Sequence, residues 1–254
     1  MKIAVMVKVL PDDQDIVATD DGQLDFSRAK NTISTYDLNA IEAAAQLAEA
    51  EGAELVAVVA GPKRVDDSKT RKNILSRGVD SLCILADDSL DLADSRQTGR
   101  MLAKIVEKVG DVDLVVCGDG SADLYAQQVD VQLAEALGWV NTNAVVSLKA
   151  DGAAVSVERV LEDEKEVVKM PLPAVVAVSP DIALPRIAGM KDILAAGKKP
   201  VVTYSLEDAG GLEDATVETL EIKAPQPTAR KKMLFDGSSD EGIDEFVKAL
   251  KEAM

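Results

Sequence analysis

The sequence predicts an α/β fold: a parallel sheet with flanking helices, extended by antiparallel strands and ending in a C-terminal arm. Three observations lead there. Short runs of Val, Ile, Leu and Ala alternate with segments of helical spacing about 10–15 residues long, the pattern of repeated βαβ units with right-handed crossovers. Those short runs are apolar at nearly every position, as in strands covered on both faces. Apolar residues make up 47% of the 254 but aromatics only 3%, so the core is aliphatic. That length suffices for one large domain with an arm.

Taken in order, Lys2 to Leu10 (KIAVMVKVL) reads as a buried strand ended by Pro11. Ile16 to Phe26 reads as a hairpin around Asp20-Asp21-Gly22, an Asp-Gly pair that favours a tight turn. Ser34-Thr35-Tyr36-Asp37 offers N-caps for a helix with Leu38, Ile41, Ala45 and Ala48 on one face, closed by Gly52. Leu55 to Ala60 is a strand ending in Gly61-Pro62. Asp67 to Arg77 is a helix closed by Gly78, and Leu82 to Leu85 a strand. Asp94 to Val109 is a helix closed by Gly110, and Leu114 to Cys117 a strand. Helical spacing resumes from about Asp123, with Leu124, Val131, Leu133, Ala134 and Leu137 on one face. Ala144 to Leu148, Ala154 to Leu161 and Glu166 to Met170 read as an antiparallel meander with turns at Asp151-Gly152 and Glu162-Asp163-Glu164. Pro171 and Pro173 bracket the approach to a buried strand, Ala174 to Val178. Pro180 to Met190 is a loop before a short helix, Lys191 to Ala196. Val217 to Ile222 is a plausible strand, and Ala224-Pro225-Gln226-Pro227 an extended linker. Asp240 to Lys251 is an amphipathic helix presenting Ile243, Phe246, Val247 and Leu250.

Composition excludes several functions. With no His, a His base, a His metal ligand and a Ser-His-Asp triad are impossible. Cys83 and Cys117 are too few for a disulfide framework or a Cys-rich zinc site and sit inside apolar runs, as buried strand residues do. The formal charge of −17 disfavours nucleic acid and anionic membranes. No apolar run reaches the roughly 20 residues a membrane helix needs, and the expected location is cytoplasmic.

What remains is a ligand-binding edge. The run Leu114 to Cys117 stops at Gly118-Asp119-Gly120-Ser121 and a helix is expected soon after, an order that collects free N–H groups and a positive helix end. Asp119 and Asp123 would repel a bare phosphate. A nucleotide would therefore use backbone N–H groups with Gln127 and Gln128, leaving carboxylates for ribose hydroxyls or capping. In parallel sheets ligands sit beyond the carboxyl ends of strands. Four segments share that edge: Val7 to Pro11, Ser34 to Asp37, Ala60 to Pro62, and Gly118 to Gln128.

From Val157 the chain runs V-x-R-x-x-E-D-E-x-E-x-V-x-x-x-L-P-A-V-V-A. This resembles the signature of the electron-transfer flavoprotein β-subunit family. KIAVMVKVLPD, STYDLNAIEAA from Ser34, LSRG at Leu75 to Gly78, GDGSADLYAQQ from Gly118 and PRIAGMK from Pro185 resemble it too, and the details are similar to the FixA-type branch. The resemblance implies an adenine-nucleotide α-hydrolase-like domain over residues 1–205 and an arm over 206–254 embracing a partner α-subunit that carries FAD. It implies that this chain holds AMP or a second FAD through Val7, Ser34, Thr35, Tyr36, Asp37, Ala60, Gly61, Gly118, Gly120, Ser121, Asp123, Leu124, Tyr125, Ala126, Gln127, Gln128 and Val129. Arg159 would lie near a flavin and stabilise its anionic reduced form; its structural alternative is a strand arginine paired with Glu162. Met190 would anchor in a groove of a partner. The implied role is an electron carrier with no catalytic residue of its own, working between an acyl-CoA-type dehydrogenase and a quinone oxidoreductase or ferredoxin, with electron bifurcation left open. The rival reading is a non-redox adenine-nucleotide-binding regulatory or scaffold protein. An ATP-pyrophosphatase-like enzyme lacks its Ser-Gly-Gly-x-Asp-Ser loop.

Overall fold

The computed structural model describes residues 1–225 and 230–253, so the linker positions Gln226 and Pro227 lie outside the described residues. The chain divides into two compact units, Met1–Val17 with Asp25–Glu221, and Ala18–Leu24 with Ile222–Met254. Its elements in order are β1 (Lys2–Met6), β2 (Val9–Pro11), β3 (Val17–Ala18), β4 (Leu24–Asp25), β5 (Asn31–Ile33), α1 (Thr35–Glu51), β6 (Glu54–Gly61), α2 (Ser68–Leu75), β7 (Ser81–Ala86), α3 (Ser95–Val109), β8 (Leu114–Gly118) and α4 (Val129–Leu137). There follow β9 (Val140–Asp151), β10 (Ala154–Val160), β11 (Lys165–Pro171), β12 (Ala174–Val178), α5 (Met190–Ala196), β13 (Val201–Tyr204) and α6 (Asp240–Ala253).

Among the described residues nine strands form one sheet, ordered β11-β10-β9-β12-β8-β1-β6-β7-β13. From β9 to β13 every neighbouring pair is parallel, while β9, β10 and β11 are mutually antiparallel neighbours. The α/β class with an antiparallel addition is therefore as the sequence predicts. Alternate residues of β1 face two different cores. Ile3 and Val5 pack with Ile41, Ala44 and Leu75 from α1 and α2. Ala4 and Met6 pack with Met101, Ile105, Leu133 and Ala134 from α3 and α4. Both faces are dry, which explains the unbroken apolar runs.

Helix ends follow local chemistry. Asp94 caps α3 in a capping box with Gln97, Asp67 caps α2, and Gly52 and Gly138 close α1 and α4 in the left-handed conformation.

Three expectations are corrected. The first strand is not continuous to Leu10: it breaks at Val7-Lys8, and β2 pairs with β5 in a separate ribbon. The helix after Gly118 begins at Val129 rather than near Asp123, so Leu124 is exposed and off its face. Val217 to Ile222 is not a strand. Just before it, Glu213 pairs with Arg96 and Arg100 and Thr216 donates to Asp94, so the chain is tied to the start of α3 instead of to the sheet. The sheet edge is instead taken by β13, paired parallel with β7.

In the second unit the Ala224 amide donates to the Gly22 carbonyl at 2.9 Å, and Phe235 meets Phe246 edge-on at 5.7 Å. Ile243, Val247 and Leu250 of α6 are exposed by 38% or more.

Candidate functional site

The chain moves outward from β1 to β6 and β7, then returns to place β8 on the other side of β1. The reversal makes the carboxyl edge between β1 and β8 the switch point of the sheet, where open α/β folds leave a crevice. After β1 the chain supplies Val7 and Lys8; after β8 it supplies Asp119 to Gln128; α1 brings Ser34 to Asp37 between them.

Asp37 joins these walls. Its carboxylate accepts from the Lys8 amide at 2.7 Å and from the Gly118 amide. Burial pushes its carboxyl up to about 7, against the pull of those two amides and of the Lys8 ammonium. Gly118 is required because a Cβ there would stand 2.7 Å from the Asp37 oxygen and 2.9 Å from Tyr36. Ser34 is fully buried and uses its hydroxyl not as a cap but as acceptor for the Ala122 amide at 3.3 Å.

On the open side, Lys8 Nζ donates to Asp123 at 2.7 Å and to Ser121 at 3.4 Å. Partial burial pushes the Asp123 carboxyl up, but Lys8 and Ser121 outweigh it and hold it below its ordinary value. Tyr125 stacks on Tyr36 with centroids 5.0 Å apart, over Gly120, where any Cβ would meet the ring. Tyr125 and Gln127 both hold left-handed backbone at φ 47° and 53°, a strain that clusters at ligand sites. Residues 122–128 are all exposed.

The predicted site residues thus separate by role. Val7, Ser34, Asp37 and Gly61 are buried and shape the walls; Thr35, Asp123, Leu124, Tyr125, Ala126, Gln127 and Gln128 are exposed beside them, with Tyr36, Gly118, Gly120, Ser121 and Val129 half-buried. Ala60 lies at the end of β6, whose Val58 carbonyl accepts from the Val7 amide. Sequence reasoning passed over Lys8, the cation at this edge; its one signal was a lone charge inside an apolar run. It also passed over Asp119 as a burial problem. Asp119 Oδ1 is buried with no partner, and burial together with nearby Asp130 raises its carboxyl.

Arg159 stands apart but level. It pairs with Val145 on β9, which pairs with Val178 on β12, which pairs with Gly118 on β8. Three strand spacings place it roughly 14 Å along one row from the switch point. Its guanidinium bonds Asn143 at 2.8 Å and Glu166 at 3.4 Å, not Glu162, and its Nε is buried with no partner. Met190 opens α5 and is 74% exposed.

A shallow surface depression lined by Met1, Lys2, Glu54, Asp111, Val112, Asp113 and Pro173 lies at the opposite, amino end of β1 and β8. Among the described residues no cluster is arranged to hold a metal ion, and no helix is long and apolar enough to cross a membrane.

An open, mostly parallel sheet whose switch point is walled by buried polar groups and faced by an exposed loop makes the chain an α/β protein with a crevice at its sheet edge. The family is narrower. The family model for the electron transfer flavoprotein domain matches residues 21–209, and the chain belongs to that family.

Proposed function

We propose that the chain is the β-subunit of an electron-transfer flavoprotein, of the FixA type, paired with a FAD-carrying α-subunit. The observation that carries this is Arg159: a guanidinium with one buried, unsatisfied N–H, level with the ligand edge yet three strands from it. An orphaned N–H of that kind fits an acceptor on a second, shared cofactor. A nucleotide fits the switch point on separate grounds. Asp119 Oδ1 is an acceptor without a donor, suited to a ribose hydroxyl, while Lys8 and those loop amides of residues 121–128 that Ser34 and the Ser121 carbonyl do not take suit a phosphate.

A flavin bound against Arg159 would supply the one- or two-electron chemistry. The chain's own residues do the rest. Asp37 fixes the spacing of β1 and β8, Lys8 offers a positive charge that Asp123 neutralises, and Arg159, its two Nη groups held by Glu166 and Asn143, keeps its Nε–H for developing negative charge. The exposed apolar stretch around Met190 docks an acyl-CoA-type dehydrogenase, and a quinone oxidoreductase or ferredoxin takes the opposite position in the transfer. The apolar face of α6 belongs to the arm that holds the α-subunit. The nucleotide is AMP or, in a bifurcating complex, FAD.

Co-expression with the α-subunit will give a yellow heterodimer, whereas the chain alone will bind flavin poorly because its flavin wall is half built. Acid release will identify the second nucleotide; release of neither AMP nor FAD contradicts the switch-point assignment. In the heterodimer, Arg159→Ala removes a charge-assisted hydrogen bond worth about 1.5–3 kcal/mol. It will move the flavin midpoint potential negative by about 30–60 mV for a two-electron couple; an unchanged potential contradicts the role of Arg159.

A further inference from the structure

Four apolar side chains within eleven residues stand almost free of the fold: Leu184 is 90% exposed, Ile187 96%, Met190 74% and Leu194 69%. Met190 and Leu194 ride on α5, whose Ala196 is buried in the first core, but Leu184 and Ile187 precede that helix, so the shape of their loop comes from its polar roots. The roots are on α1. Asn39 donates to the carbonyls of Pro180 and Ala183 at 3.0 and 2.8 Å. One turn on, Glu42 accepts from Arg186 Nε at 2.7 Å, from its Nη2 at 3.2 Å and from its amide at 3.1 Å, and Glu49 accepts from Nη1 at 2.6 Å. Positions 39, 42, 46 and 49 form one polar stripe, in which Gln46 steadies Glu42 at 2.8 Å. Just past the end of α2, Arg77 donates to the Arg186 carbonyl at 2.6 Å. Gly78, at φ 88°, leaves room for the guanidinium: a Cβ there would stand 3.0 Å from Arg186 Nη1.

We propose that Arg186, seated on Glu42 and Glu49, is the positioning residue that holds the Leu184–Leu194 ridge in docking shape. The proposal rests on the docking role given to Met190 above. The occupant is a redox protein with an apolar groove rimmed by acidic side chains. In a chain of net charge −17, residues 184–200 carry, besides the paired Arg186, the cations Lys191, Lys198 and Lys199 against Asp192 alone. Glu42 and Glu49 neutralise Arg186, so it acts through the ridge and not as a contact.

Two measurements test it. Hydrogen exchange on the full chain will show amides 183–189 exchanging about tenfold faster in Arg186→Gln, with β6 and β7 unchanged, and partial protection restored in Arg186→Lys. Glu42→Gln supplies a second route if Arg186→Gln folds poorly. Unchanged exchange overturns the clamp. With the co-expressed α-subunit present, reduction by an acyl-CoA dehydrogenase will show a KM about tenfold higher in Arg186→Gln at unchanged kcat. Met190→Glu will raise KM likewise while leaving exchange as in the parent. If Met190→Glu raises KM but a loosened Arg186→Gln does not, positioning is overturned and docking stands; if Met190→Glu leaves KM unchanged, the docking reading itself fails.

Discussion

Asp37→Ala will destabilise the chain by about 2–4 kcal/mol, since it strands the Lys8 and Gly118 amides that the carboxylate now satisfies. Urea unfolding will show a lower midpoint at unchanged slope, and the same variant will lose the nucleotide proposed for the switch point because Lys8 and Gly118 part. The isosteric Asp37→Asn has a separate signature in pH. Burial, countered by the Lys8 and Gly118 amides, sets the Asp37 carboxyl at about 7 in the folded chain, above its ordinary 3.8. The folded state therefore binds this proton more tightly than the unfolded one. Its contribution is complete below about pH 4 and drains away as pH rises to about 7, on the order of a few kcal/mol in all. Asp119 and Asp130 are raised as well and add the same sign. Asp67, held at about 2 by Thr70, Asn31 and two backbone amides despite partial burial, acts oppositely: its contribution is lost as pH falls from about 4 to 2. Parent stability will thus decline between pH 4 and 7, and Asp37→Asn will flatten that decline. An equal slope in the two proteins would show that Asp37 is not the group responsible.

How far the sequence foretold this depends on how local each cause is. Strand and helix periodicity, the caps at Asp67 and Asp94 and the closing glycines are properties of neighbouring residues, and the elements they predict are present. The break at Val7-Lys8 was hidden because its cause lies 29 residues away, in the Asp37 carboxylate. Residues 123–128 look helical by spacing, yet Tyr125 and Gln127 take left-handed backbone and, just before them, Ser34 claims the Ala122 amide. Edge strands β5 and β13, three and four residues long, carry too little pattern to be seen. Arg159 was recognisable from the signature, but its partner is set by strand register: β10 and β11 pair Arg159 with Glu166, while Glu162 falls in the turn. The polar stripe of α1 was legible as spacing, but its purpose depends on a loop more than 140 residues onward.

Gly99→Val will be among the most damaging single changes in the chain, and its effect will reach the ligand edge. α3 and α4 approach so closely at Gly99 that a Cβ would stand 2.7 Å from the Gln132 Cβ and 2.9 Å from the Leu133 amide. One of those neighbours is backbone, so no rotamer change relieves the clash; the helices must separate. Leu133 is fully buried and packs with Met101 and Ile105, so separation opens the second core as well. Overpacking of this kind costs about 1–3 kcal/mol, and more where backbone must move. We expect about 3 kcal/mol for Val and somewhat less for Ala. Gly52→Ala makes the contrast: its Cβ meets nothing within 4 Å, leaving only the left-handed φ of 60° to oppose it, at about 1 kcal/mol. Because α4 begins where the exposed loop ends, its displacement moves residues 122–128 away from Lys8 and Tyr36. Gly99→Ala should therefore lose the nucleotide proposed for the switch point while still folded, with urea midpoint and bound nucleotide measured on the same sample. Full nucleotide retention alongside the expected loss of stability would show that loop position is set by Asp37 and Ser34 alone, independently of how α3 and α4 pack.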